Sequence, residues 1–220
     1  MRRLLDTLNR HLDIRLGLTP RLLLLVAAVL VGVTLTQPLW NLTMFAPQYQ
    51  DGLRMDIYAH ELQGGRNGQD IKEINLLNHY IGMHDLSNED FTEFKWMPFA
   101  LGILALLMLR AAVHGSMASL VDAVVLFGYF GAFSLWSFAY KMYTYGHTLA
   151  PTAPVKVPPF SPPVFGYQQI ANFEVYSYPR AGTYLMLVAA VTLFVALGLA
   201  WRAGTSGERA GSRAAATSGS

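Results

Sequence analysis

The sequence predicts an all-α membrane protein: four transmembrane helices with an extracytoplasmic cap from two large loops. Three observations carry that prediction. Of the 220 residues, 53% are apolar and they stand in long uninterrupted runs. Only 14% are charged, against about a quarter in a soluble domain. Four of the runs approach the roughly 20 residues that a helix needs to cross a bilayer. The net charge of +2 is small and set by the tails, which gives no case for nucleic-acid binding.

Residues 1–21 carry five arginines, and their leucines at 4, 5, 8, 12, 16 and 18 predict an amphipathic helix on the cytoplasmic membrane surface. A cleavable signal peptide is disfavoured, because the basic region is long and no small-x-small site follows the apolar run. The first span is placed at 22–42. Its upper end, Thr34-Leu-Thr-Gln-Pro-Leu-Trp40, is polar, with Pro38 as a kink and Trp40 at the interface. Residues 43–95 form the first extracytoplasmic loop, with one short helix. The second span is 96–113, where Arg110 can reach the headgroups, and the third is 120–140.

The second outer loop, 141–180, holds seven prolines and reads as extended polyproline-like chain with turns. It ends in Asn172-Phe-Glu-Val-Tyr-Ser-Tyr-Pro179, which alternates well enough for a strand or strap. The fourth span is 181–201. The tail, 202–220, is rich in Gly, Ser, Ala and Arg and is expected to be disordered.

Arginine and lysine counts set the orientation. The N-terminal tail has five, the loop 110–119 one and the C-terminal tail three, while the two long loops share seven. The positive-inside rule then puts a multi-pass chain in the cytoplasmic (inner) membrane, with both termini cytoplasmic and both long loops outside.

The chain has no cysteine. That removes disulfides, thiolate metal sites and covalent haem attachment, so any metal must rest on His, Met, Asp or Glu. These donors gather in the outer loops: Met44, Met55, His60, His79, Met83, His84, Met142 and His147. Within Glu73-Ile-Asn-Leu-Leu-Asn-His-Tyr-Ile-Gly-Met-His84, Ile74, Leu77 and Ile81 fall three or four apart. That spacing predicts one apolar face of a short helix.

His79 and Met83, four apart, would then be neighbours on another face. Thioether sulfur favours Cu(I) and imidazole accepts either copper state. Copper is therefore the cofactor that this set would suit, with His79, Met83 and His84 as first candidates and His60 and His147 next. The competing reading has histidines bonding backbone and water while methionines fill the core. A bound haem would need His79, His84 or His147 at the outer boundary. No nucleophile elbow, phosphate loop, HExxH helix or paired-carboxylate signature appears, so the sequence gives little support for an enzyme.

Asn75-Leu-Leu-Asn-His-Tyr-Ile-Gly-Met83, Tyr145-Gly-His-Thr-Leu-Ala-Pro151, Val157-Pro-Pro-Phe-Ser-Pro-Pro163 and Gln169-Ile-Ala-Asn-Phe173 together resemble a known pattern. They are similar to the NosB-like polytopic membrane proteins encoded beside nitrous oxide reductase in clade II denitrification (nos) gene clusters. The resemblance implies an accessory role in nitrous oxide respiration, by copper handling for, or docking of, a periplasmic copper enzyme or its maturation factors. The alternatives are a quinol- or electron-transfer membrane subunit and a purely structural anchor.

Overall fold

The computed structural model describes residues 12–170 and 172–218, with side chains through 204. Five helices and five strands are used below. In chain order they are α1 (Leu18–Thr34), β1 (Trp40–Ala46), β2 (Tyr49–Ile57), β3 (Leu62–Gly64), α2 (Gln69–Ile81), α3 (Glu93–His114), α4 (Met117–His147), β4 (Gly166–Ile170), β5 (Phe173–Pro179) and α5 (Ala181–Ser218). Glu93–His114, Met117–His147 and Ala181–Gly204 are each long and apolar enough to cross a membrane. The helix α1 is apolar but has only 17 residues, about 25 Å at 1.5 Å per residue. The amphipathic N-terminal helix expected at 1–21 falls largely on residues 1–11, outside the described residues.

The expectation of an all-α chain is corrected by the antiparallel sheet, of strand order β3-β2-β1-β5-β4. Its first strand lies where the end of the first span was expected. Chain chemistry explains why α1 stops at Thr34. The Thr36 hydroxyl and amide both turn back to the Val33 carbonyl, at 2.9 and 3.0 Å, and the Gln37 amide bonds Thr34. Pro38 has no N–H to continue a helix and drives the preceding residue toward extended backbone. Extended chain then pairs at once: Trp40 sits opposite Ile57 on one side and Pro179 on the other. The expected strand over 172–179 is β5. The tail expected to be disordered continues as helix to Ser218.

The chain divides into two compact units. One takes the described residues up to Gly32, Gly102–Tyr129 and those from Met186 on. Its interior is aliphatic with many small residues: Ala27, Ala111, Ala123, Ala189, Ala196 and Ala200 are buried beside Leu24, Met108 and Leu193. Small residues let helix backbones approach closely where lipid leaves no hydrophobic drive between them. Here the Arg21 guanidinium donates to the last carbonyls of α3, Ala112 at 2.6 Å and Val113 at 2.7 Å, which satisfies a helix end that would otherwise be orphaned. Leu16 and Met117 exchange backbone bonds with Gly115 and Ile14 around the same turn.

The other unit is Val33–Leu101 with Phe130–Leu185 and contains the whole sheet. Alternation along β2 sends Leu53 and Met55 into a core shared with Ala46, Leu62, Ile74 and Leu77. Arg54 and Asp56 fall on the opposite face, as a period of two requires. The helix α2 presents Ile74, Leu77, Asn78 and Ile81 to the interior, the 3.6-residue stripe that the sequence predicted. In the same unit the Ser137 hydroxyl donates to Glu93 across α4 and α3 at 2.7 Å. Trp40 packs on Phe138 and gives its indole N–H to Ser177 at 2.8 Å.

Candidate functional site

The candidate site is built around α2, which is fixed at both ends. Asp70 stands in the first turn, 2% exposed. Its carboxylate accepts the Arg54 amide at 2.8 Å and the Arg66 guanidinium, and a carboxylate is favoured at a helix N-terminus. Glu73 accepts the Tyr49 hydroxyl. That bond, with burial and the Glu73 charge, pushes the Tyr49 phenol above its ordinary pKa.

The C-terminus of α2 ends in a Schellman turn. Gly82 is left-handed at φ +80°, its amide bonding His79, while the Met83 amide reaches the Asn78 carbonyl at 2.9 Å. The Asn75 side chain pairs with the Leu86 backbone in both directions, at 2.7 and 3.1 Å. The proline-rich strap then closes on this end. The Ala150 amide donates to Gly82 at 2.8 Å and the Val155 amide to Tyr80 at 2.9 Å.

This geometry corrects the reason for pairing His79 with Met83. Neighbours at four residues require both to be helical, and the helix ends at Ile81. Met83 is half-buried beyond the turn, whereas His79 and His84 are exposed. The His84 carbonyl accepts the Asn78 amide at 3.5 Å. His147 ends α4, three residues before Ala150, and its ring stacks on Tyr143 with centroids 3.8 Å apart. Its Nδ1 lies 2.9 Å from the Tyr143 carbonyl. His60 stands apart in the bend before β3, 3.7 Å from Glu61 and against Tyr58. Met55 is buried in the core with Met44 beside it, as the packing reading of the methionines has it. Among the described residues no three His, Cys, Asp or Glu side chains gather as a metal-holding group. A three-donor copper site among these residues would therefore need a methionine sulfur.

The structure adds a feature that sequence reasoning missed. A groove of about 410 Å³ opens beside α2. Leu76, Leu77, Tyr80 and Ile81 form one wall, and Val155 of the strap lies against it. Tyr49 and Phe173, with Gln48 and Asn172, close it from the β1–β2 and β4–β5 turns. Four separate stretches of chain meet there, so no local pattern could have announced it.

No family model matches this chain, and none of the curated proteins compared with it is similar. The fold thus defines a class on its own terms: three helices long and apolar enough to cross a membrane, in a chain that also carries a folded unit of sheet and helix.

Proposed function

We propose that this is an accessory membrane protein whose helices anchor it and whose cap docks a soluble partner outside the membrane. The observation that carries this reading is the cap's own closed core of Leu53, Met55, Leu62, Ile74 and Leu77. An anchor alone needs no such core. In this reading α1, extended by the chain up to Trp40, is a fourth span, and the arginine bias places both termini in the cytoplasm and the cap outside. The resemblance found in the sequence names the partner to test: a periplasmic copper-dependent nitrous oxide reductase, or the factors that mature it.

A second reading is copper handling at His79, Met83 and His84. It is favoured by one observation: His79 and His84, which flank Met83 in the sequence, are exposed, with no ring hydrogen bond among the described residues. Co-purification of the tagged protein with the reductase or its maturation factors tests docking, and their absence from the eluate would sink it. Metal analysis and an optical spectrum of the detergent-purified protein test the second reading. It requires copper bound after exposure to Cu(I), and a haem Soret band would overturn it.

A further inference from the structure

We propose that the groove beside α2 binds a neutral, apolar peptide segment of a soluble partner. This rests on the docking reading and names its point of contact. Position is the first argument. The strand ends at Trp40, Ile57 and Pro179 are in register, and Trp40 and Pro179 lead directly to α1 and α5. The groove lies at the other end of the strands, between the hairpin turns at Gln48 and Asn172, away from the strand ends that lead to α1 and α5.

Charge is the second argument. None of the side chains lining the groove is charged. A phosphate or carboxylate entering it would meet no cationic side chain in the lining to offset its lost hydration. Apolar side chains incur no such penalty. Leu76 and Tyr80, 51% and 49% exposed, offer apolar and aromatic surface of the kind that anchors protein contacts.

The third argument is hydrogen bonding. The two side-chain amides in the lining, Gln48 and Asn172, each both donate and accept. A peptide backbone offers the same pairing, N–H and C=O together, whereas a quinone offers acceptors alone. The volume lies within the range of pre-formed ligand sites, about 300–1,000 Å³. It suits a few apolar side chains from one short segment.

The test places a benzophenone amino acid at Leu76, and at Glu174 as a control. Glu174 alternates with Phe173 and buried Val175 along β5 and so faces away from the groove. Cells carrying the full chain are irradiated and the cross-linked partner segment is mapped by mass spectrometry. That segment, as a synthetic capped peptide, is titrated onto the detergent-purified protein.

The expected result is cross-linking from Leu76 to a neutral apolar segment of a soluble protein. Peptide affinity should fall at least roughly tenfold in Leu76→Asp, fall likewise in Tyr80→Ala, and hold in Glu174→Ala. Cross-linking from Leu76 to lipid or to a second copy of this chain overturns the proposal. Cross-linking from Glu174 alone overturns the groove but leaves docking standing. No cross-link from either position removes both.

Discussion

The Gly82 carbonyl accepts a 2.8 Å hydrogen bond from the Ala150 amide. One residue past α2, this bond fastens the proline-rich strap to the helix. Gly82 is required there twice over: its φ is +80°, and a Cβ would stand 2.9 Å from the Ala150 carbonyl oxygen and 2.9 Å from the Ala153 Cβ. Gly82→Ala should cost about 1–2 kcal/mol from the left-handed backbone alone. Amide exchange at Ala150 and Val155 should then quicken by roughly tenfold. Unchanged exchange at both would mean that the strap is held elsewhere.

The apolar face of α2 supplies a paired comparison. Leu77 is 4% exposed and belongs to the cap core, whereas Leu76 is 51% exposed. Leu77→Ala should destabilise the cap by about 2–5 kcal/mol, and Leu76→Ala by no more than about 0.5 kcal/mol. Chemical denaturation followed by a cap-specific probe separates them. Equal effects from the two would contradict the packing described above.

Tyr49 makes the cap sensitive to alkali. The phenol is held above its usual value of 10.0 by its bond to Glu73, by burial and by the Glu73 charge. Unfolded chain loses that proton near pH 10 while folded chain keeps it. The contribution of the pair is thus complete below pH 10 and is lost as pH rises through the folded value. Tyrosinate absorbance of the wild type minus that of Tyr49→Phe should show one group titrating above 10. A midpoint at or below 10 would remove the hydrogen bond from the account.

If His79, Met83 and His84 hold copper, the two copper states should respond differently to substitution. Met83→Leu should weaken Cu(I) more than Cu(II), because only the sulfur is selective for the softer ion. His79→Ala should weaken both. Competition titration with a chromophoric chelator measures each state, and equal binding to the wild type and Met83→Leu would dismiss the thioether.

Topology can be read without removing any residue first, since the chain contains no cysteine. Gly17→Cys precedes α1 and Lys72→Cys lies on exposed α2 surface. With α1 as a span, a membrane-impermeant maleimide added to intact spheroplasts should label position 72 and reach position 17 only after permeabilisation. Labelling of both from the same side would leave α1 lying along the surface.

The sequence by itself determined where the long apolar helices α3, α4 and α5 lie and which face of α2 is buried. Apolar runs marked the middle of α3 and α4 and the first part of α5, because hydropathy over roughly 20 residues is a property of contiguous chain. The spacing of Ile74, Leu77 and Ile81 fixed the buried side of α2 for the same local reason. Even β2 carried its signal, with Leu53, Met55 and Ile57 alternating with Arg54 and Asp56. Only the tertiary structure decided that these strands form a sheet. Pairing Trp40 with both Ile57 and Pro179 joins positions 139 residues apart from first to last, and hydrogen bonds at that range leave no mark on local periodicity. The end of α1 at Thr34 misled for a related reason: hydropathy continues through Leu39 and Leu42, while the missing N–H of Pro38 breaks the helix. Met83 shows the limit most clearly. A four-residue spacing implies neighbours only while the backbone stays helical, and the left-handed turn at Gly82 ends the helix one residue before Met83.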